Sequence, residues 1–552
     1  MSKNRALLEE QFTWYETNLP LLERKKRGHF STPPQLVEKI LDACGYTSDN
    51  DLTHVRVLDP ACGSGNFLIE VARRLLAFSI RAGLSAREGA LLFKRNLWGI
   101  DPDPISCFLA DMHLQSLIHS SASRSIPLTR LHIHQADSLV LPWEPGVDLF
   151  IANPPYLAAK NNDLSGYHFA QQRGQADSYL LFLNLALQVV RPGGWIGLVL
   201  PDPLLARANA ARERARLLEE TTLYHLWHFS DVFGADVGAV VIIARKTPPK
   251  SMHFISWKRG SWHSTVSLAA QHQVQQSLFI HQPGGEFRYL LSQGRGDALE
   301  RLRTCLEEIA ASERHFAPLG EFFTLSRGEE LGKESSNLQK TQTQLSSFTP
   351  SSSSSTGCLP NIDSSCALPE AFPVLRGGID IHPYCPPVAN YLIARYAIRK
   401  PLERYLSPKL LVVKSTDRLQ ATFDQQGHVA LQTLYLLHLR NQQDTTDHLY
   451  FFLALLNSRL LREYVYALHT AYKMVQPQIE QRVLTSLPVP FVNLEEQQLI
   501  IEQSKALVHA CSSLSPVVEW NEHITKMYEE QERLICALYD SALAGFLLTK
   551  ES

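Results

Sequence analysis

Between residues 55 and 245 short apolar, β-branched runs alternate with longer stretches whose apolar positions recur at helical spacing. The runs 55–59, 97–100, 131–134, 149–152, 195–201, 223–229 and 238–245 read as strands, and the stretches 68–82, 105–118 and 178–190 as helices. This alternation predicts an α/β fold, a doubly wound and mostly parallel sheet. The runs 223–229 and 238–245 lie too close for a crossover helix, so they are expected to pair antiparallel and close the sheet.

Past residue 245 the alternation fades. A serine- and threonine-rich tract at 335–365 has no means of burying a core and reads as a mobile loop or linker. Two further helices are expected at 494–510 and about 518–548. The expected division is an α/β domain with its N-terminal segment at 1–250, a connecting region at 251–320, and an α+β domain at 321–552 into which the serine-rich tract is inserted.

Composition narrows the class only a little. With 45% apolar and 20% charged residues, the chain has the profile of an ordinary soluble protein. Its formal net charge of −2 means that any nucleic-acid contact must come from local clusters. The N-terminus has no signal-type apolar core, and the apolar stretch 179–190, interrupted by Asn184, is too short to span a bilayer. A cytoplasmic protein without membrane contact is expected. The nine cysteines form no CxxC pair, which fits reduced thiols and no metal site.

The strand VRVLD runs into PACGSGN and then a helix. Gly63 and Gly65 permit a tight turn and close backbone approach to a ligand, though a βα turn with no ligand would also use them. Asp59, at the strand's carboxyl end, suits a cationic amino-acid moiety better than a pyrophosphate. The next strand ends in NLWGIDPDP, where Asp101 is placed to accept from both hydroxyls of a ribose. Capping the following helix is the competing role for Asp101, as for Asp103. The third strand ends in HQADSL, where Asp137 is a candidate acceptor for an adenine amine of such a nucleoside ligand.

The fourth strand leads at once into Asn153, Pro154, Pro155 and Tyr156. Consecutive prolines stiffen the loop and remove its donors. The Asn153 side-chain oxygen and the Pro154 carbonyl can each accept one hydrogen of an aryl amine, freeing the nitrogen lone pair for an in-line displacement. Positioning and dipoles then supply most of the catalysis. Tyr156 offers a face for the substrate ring.

The order GHFSTP, DPACGSGNF, WGIDPDP, ADSL, NPPY resembles the gamma class of amino-methyltransferases of restriction–modification and phage-defence systems. The resemblance implies S-adenosyl-L-methionine as cofactor and N6-methylation of a flipped-out adenine in double-stranded DNA. It makes Phe30, Ser31, Thr32 and Pro33 a segment closing over the cofactor's methionine end. Pro60, Ala61, Asn66 and Phe67 of the glycine loop, Pro102, and Ser138 join the cofactor site on the same ground. It also places Phe233, in DVFGADVGAVV, opposite Tyr156 as the second ring stacked on the base; a core phenylalanine is the alternative.

The stretches FFTLSRGEELGK, FPVLRGGIDIHPY, KLLVVKSTDR and YFFLALLNSRLLREYV resemble the Taq-type target-recognition domain of the same family. Two basic clusters are candidate phosphate contacts or simply solvated surface. One holds Arg245, Lys246, Lys250, Lys258 and Arg259; the other holds Arg395, Arg399, Lys400, Arg404, Lys409 and Lys414 against Glu403. Enzymes that methylate a protein glutamine or ribosomal RNA share NPPY, but a long segment after the catalytic domain favours DNA. With about 27 residues before GHFSTP and no nuclease constellation downstream, cleavage is expected of a separate restriction endonuclease or other defence-system subunit.

Overall fold

The computed structural model describes residues 30–121, 131–159, 162–167, 176–233, 238–263, 272–280, 282–287, 316–331, 338–340, 371–441, 446–470, 472–473, 475, 477–512 and 520–539. The chain divides into two compact units, Met1–Gly294 with Tyr472–Val475, and Arg295–Ala471 with Gln476–Ser552.

In the first unit α1 (Pro34–Ala43) begins where the Pro33 carbonyl accepts from the Leu36 and Val37 amides at 2.9 and 3.1 Å. The strand β1 (Val57–Asp59) is buried throughout because parallel neighbours flank it on both sides. The helix α2 (Asn66–Arg81) starts directly after Gly65, whose φ of +96° only glycine adopts readily. It buries Phe67, Leu68, Val71, Ala72, Leu75 and Phe78 against the sheet and leaves its charged residues outside. The next helix, α3 (Ala86–Asn96), was not among those expected. A reciprocal cap forms it: the Ser85 hydroxyl accepts from the Glu88 amide at 3.3 Å, and the Glu88 carboxylate accepts from the Ser85 amide at 2.8 Å.

There follow β2 (Leu97–Asp101), α4 (Pro104–Ser121), β3 (His132–Gln135), β4 (Val147–Ala152), α5 (Ser178–Val189), β5 (Val190–Pro201), α6 (Ala211–Glu220), β6 (Thr222–Ser230), β7 (Ala239–Arg245), β8 (Phe254–Ser261) and β9 (His272–Gln275). They make one sheet in the order β3-β2-β1-β4-β5-β7-β6-β8-β9, parallel from β3 to β5. The strand order reverses between β1 and β4, which opens a crevice at the carboxyl ends of the strands. The doubly wound α/β fold is therefore correct.

The strands β6 and β7 do pair antiparallel, but they do not close the sheet. Parallel to β6 lies β8, and β9 pairs antiparallel with β8, so two strands past residue 250 extend the sheet. The first residues of β8 are exposed Phe254 and buried Ile255, Ser256 and Trp257, and the rest is half-buried. A strand covered over only part of its length shows no clean alternation, which hid it.

The second unit carries a sheet of β11 (Phe323–Arg327), β18 (Leu434–Leu439), β15 (Lys409–Val413) and β16 (Ala421–Asp424) in that order, and another of β12 (Leu338–Lys340), β14 (Tyr391–Ala394), β13 (Ala371–Leu375) and β17 (Val429–Ala430). A third pairs β10 (Phe316–Pro318) with β19 (Pro488–Pro490). The helices α7 (Thr446–Asn457), α8 (Arg459–Val465), α9 (Leu494–Ser512) and α10 (Glu522–Tyr539) share an apolar core with the first sheet. Apart from 338–340, the serine-rich tract lies outside the described residues, as do Gly28 and His29. No helix among the described residues is long and apolar enough to cross a membrane.

Candidate functional site

A cavity of about 480 Å³ opens at the crevice above β1, β2 and β4. Of the residues read as a cofactor site, Phe30, Ser31, Thr32, Asp59, Pro60, Ala61, Gly63, Asn66, Phe67, Asp101, Pro102, Asp137 and Ser138 line it. Asn153 and Pro155 of the NPPY loop do so as well. Pro33 and Gly65 do not; they start the two helices behind the wall.

Four carboxylates line this space, Asp59, Asp101, Asp103 and Asp137, each held differently. Asp59 is 1% exposed, and its Oδ1 accepts from the Ala61 amide at 3.2 Å. Burial, with the Asp101 charge adding to it, pushes its carboxyl up to about 8. Asp101 accepts from the Gly63 amide at 2.9 Å and the Asp103 amide at 2.9 Å, so it holds the glycine loop in place. The cap of α4 falls instead to Asp103, which accepts from the Ser106 amide at 3.1 Å and hydroxyl at 2.7 Å. Asp137 accepts from the Tyr167 hydroxyl at 2.6 Å and the Leu139 amide at 3.0 Å. Ser138 donates to the Pro60 carbonyl at 2.8 Å and ties the third loop to the first.

The segment Phe30–Pro33 is anchored by side chains far along the chain. The Asn66 amide donates to the Ser31 hydroxyl at 2.5 Å, and the Asn153 amide donates to the Phe30 carbonyl at 2.5 Å. The second bond orients the Asn153 amide, because its nitrogen end is committed to Phe30. Its Oδ1 accepts from the Tyr156 hydroxyl at 3.0 Å, and the Val199 carbonyl is an alternative acceptor at 3.2 Å. Pro154 is buried at the loop's centre.

Sequence reasoning missed the residues that brace the far side of this loop. Ser178, the first residue of α5, donates to the Pro155 carbonyl and accepts from the Leu157 amide at 2.8 Å. Asp177 accepts from the Ala159 amide at 2.9 Å. The signal was present: Asp-Ser ahead of an apolar helix marks an N-terminus with acceptors to spare. Tyr167, Leu164 and Phe182 also line the cavity, and nothing in their local sequence distinguishes them.

Phe233 lies beside Tyr156, but the rings are not a parallel pair. Their centroids are 6.2 Å apart at 70°, and Phe30 touches both, at 5.9 Å from Tyr156 and 5.4 Å from Phe233. The three rings close on one another at tilted and edge-on angles, as aromatic quadrupoles prefer. Phe233 also packs against the apolar core.

The basic clusters are divided by their bonding. Lys409 is fully buried, 2.6 Å from Asp424, and cannot reach a phosphate. Lys400 donates to the carbonyls of Arg327 and Gly328. Lys414 is half-buried, and burial lowers its pKa. Arg404 lies over the Tyr405 ring at 5.7 Å. Arg395 and Arg399 are exposed. In the first unit Lys246 donates to the Leu187 carbonyl and Arg245 to the Gly193 carbonyl at 3.0 Å. Lys258 lies 5.8 Å from the Trp227 ring centre, and Arg259 faces His228 across the β6–β8 pair. Burial, then the Arg259 charge, hold that imidazole down to about 3.

Comparison with known proteins is consistent with this geometry. Residues 12–259 match the N-6 DNA methylase family, and residues 373–489 the TaqI-like C-terminal specificity domain. The type II methyltransferase M.XhoI of Xanthomonas vasicola is 28% identical over 236 residues, 40% of this chain and 43% of that protein. M.PaeR7I of Pseudomonas aeruginosa is 27% identical over 248 residues, 40% of each. The matches thus span about two-fifths of these relatives' length. Among solved structures, the type IIL restriction–modification enzyme MmeI in complex with DNA shares the fold, with a TM-score of 0.60 and 12% identity over 96% of this chain and 78% of that one. Residues 12–259, which hold the first unit's cavity, are thus similar to the N-6 DNA methylase family, and residues 373–489 to the TaqI-like C-terminal specificity domain.

Proposed function

We propose that the protein transfers a methyl group from S-adenosyl-L-methionine to the exocyclic amine of an adenine turned out of double-stranded DNA, in a restriction–modification or phage-defence system. The observation that carries this reading is the orientation of Asn153: its nitrogen is committed to Phe30, so its oxygen is the end left to receive an amine hydrogen.

The cavity suits the cofactor chemically. Its volume lies in the range of small-molecule sites. Asp59, Asp101 and Asp137 line it with apolar Phe67, Leu139 and Phe182, and no Lys, Arg or His is among the lining residues described. Such a lining repels a pyrophosphate and attracts a cation. Bound there, the cofactor supplies an electrophilic sulfonium methyl.

The chain's own residues do the rest. Asp59 pairs with the ligand's ammonium group, which brings its buried carboxyl back to the charged form. Asp101 lines the same wall and would hold the ribose hydroxyls. Asp137 takes the ligand's adenine amine. At the substrate, the Asn153 oxygen and the Pro154 carbonyl accept the two amine hydrogens and localise the nitrogen lone pair. For Asn153 this requires the Tyr156 hydroxyl to turn from its oxygen to the Val199 carbonyl. Phe30, Tyr156 and Phe233 must part to admit the base, whose extrusion costs a few kcal/mol.

Two measurements test the reading. Modified-base sequencing of DNA from cells expressing the chain is expected to show N6-methyladenine at one recurring sequence; unmodified DNA beside methylated protein or RNA would overturn it. Asn153→Ala is expected to keep cofactor binding and slow single-turnover methyl transfer by roughly 100-fold or more, as loss of one preorganised group does. A rate within about threefold of wild type, under ~1 kcal/mol, would make the loop structural.

A further inference from the structure

Among the described residues the most exposed aromatic side chain is Tyr396, 82% exposed, in the second unit. It sits in the single 3₁₀ turn Arg395–Ala397, between β14 and β15. The turn is not loose. Directly after the ring, Ala397 and Ile398 are buried in an apolar cluster with Leu402 and Tyr405. Its polar side is pinned by Glu329, itself 1% exposed, which accepts from the Arg399 amide at 3.3 Å, the Lys400 amide at 3.0 Å and the Tyr405 hydroxyl at 2.9 Å. The Lys400 ammonium closes the frame on the Arg327 and Gly328 carbonyls. A buried carboxylate and a buried apolar anchor therefore hold one short segment, and what that segment presents to water is Arg395, Tyr396 and Arg399.

Charge decides what such a segment meets. Neither Arg395 nor Arg399 makes a side-chain ion pair among the described residues. Among the described residues the other charges on the neighbouring elements are Arg327, Lys400, Arg404 and Lys414, against buried Glu329 and exposed Glu330 and Glu403, while Arg376 and Asp380 pair with each other. The balance is positive, and it frames a planar ring. Polyanions with planar faces are nucleic acids: guanidinium groups take phosphates, and an aromatic ring stacks on a base whatever its identity.

We propose that Tyr396 stacks on an unpaired nucleobase of DNA while Arg395 and Arg399 hold neighbouring phosphates, with Glu329 as the buried group that positions all three. This rests on the reading of the chain as a DNA methyltransferase. It separates the exposed basic cluster into residues that touch DNA (Arg395, Arg399) and one that builds the frame (Lys400). Because stacking ignores base identity, Tyr396 contributes affinity and not sequence preference.

The test uses the full chain, with a random-sequence 30-base-pair duplex and a random 30-nucleotide single strand as probes, titrated across salt concentrations. Tyr396→Ala is expected to weaken single-strand binding roughly tenfold without changing the salt dependence, and Tyr396→Phe to restore it. Arg395→Ala with Arg399→Ala is expected to lower the slope of log affinity against log salt for the duplex by about 2, close to one per lost phosphate contact. Melting curves matching wild type establish that each variant is folded. Unchanged affinity and slope in folded variants overturn the proposal, and so does preferential binding of single-stranded RNA, or of no nucleic acid by the wild type. The first result, in an enzyme that still methylates DNA, leaves the methyltransferase reading intact; the last, with methyl transfer to protein, overturns both.

Discussion

Asp59 in the first unit and Asp424 in the second are both aspartates with about 1% exposure or none, yet their surroundings push them in opposite directions. Asp424 takes the Lys409 ammonium at 2.6 Å, the His428 imidazole at 2.8 Å and the amides of Gln426, Gly427 and His428. Burial alone would raise its pKa, but the His428 hydrogen bond and the Lys409 charge outweigh it and hold the carboxyl below the usual range. Asp59 has one amide at 3.2 Å and a second carboxylate nearby, and it rises to about 8. A buried carboxylate that the protein satisfies is architecture. One that the protein leaves short of partners, at a cavity wall, is suited to a cation.

The most severe way to break this contrast is to make Asp424 resemble Asp59. Lys409→Met removes its ammonium and leaves the charge buried, which is expected to destabilise the second unit by ~3–5 kcal/mol in denaturant titrations. Adding Asp424→Leu is expected to recover most of the loss. A single variant as stable as wild type would show that the pair contributes nothing to the fold.

The reverse experiment removes the charge from Asp59. Asp59→Asn is expected to weaken S-adenosylmethionine binding by roughly 10- to 100-fold, the scale of a lost charge-assisted hydrogen bond of about 1.5–3 kcal/mol. The same change is expected to stabilise the cofactor-free fold at high pH. The wild-type carboxyl is raised from its unfolded value near 3.9 to about 8, so its contribution is complete below about pH 4 and is lost as pH rises through about 8. Asn has no such loss, and melting temperatures should diverge in its favour between those limits. For Asp424 the sign is opposite, with stability lost on the acid side.

A finer measurement follows from the same pKa. At pH 7 the free Asp59 is mostly protonated, and pairing with an ammonium ionises it, so binding should release about one proton. Calorimetry in two buffers of different ionisation enthalpy reads this directly, and Asp59→Asn should release none. Equal release from both proteins would assign the proton to another group.

The smallest effect concerns Tyr156. Tyr156→Phe keeps the ring but removes the hydroxyl shared between Asn153 and Val199. Because the Asn153 oxygen is then free of its competitor, single-turnover methylation is expected to change by less than about tenfold, the scale of one hydrogen bond. A collapse of the rate by several orders of magnitude would mean that the hydroxyl takes part in the chemistry.

Much of the cavity is legible in the amino-acid sequence, because its residues sit at strand ends within a few positions of a glycine or proline turn. Asp59, Asp101 and Asn153 each end a strand or follow it at once, and parallel strands bring those ends together whatever lies between. Ser178 and Tyr167 escape such a reading because they meet the cavity from α5 and from the loop preceding it. Lys409 belongs to a run left open between phosphate contact and solvated surface and is neither, because basic residues look alike in sequence whether a side chain faces water or an aspartate fifteen positions away.

By itself the sequence determined the α/β alternation, the glycine and Asn-Pro-Pro-Tyr loops, and the order in which they follow their strands. Those properties are local, set by backbone geometry and hydrophobic period over a few residues. Only the tertiary structure decided that β8 and β9 extend the sheet, that Asp103 rather than Asp101 caps α4, that three aromatic rings close on one another, and which buried carboxylate is left short of partners. Each of these depends on a neighbour brought in by the fold, and burial and electrostatics become definite only once that neighbour is in place.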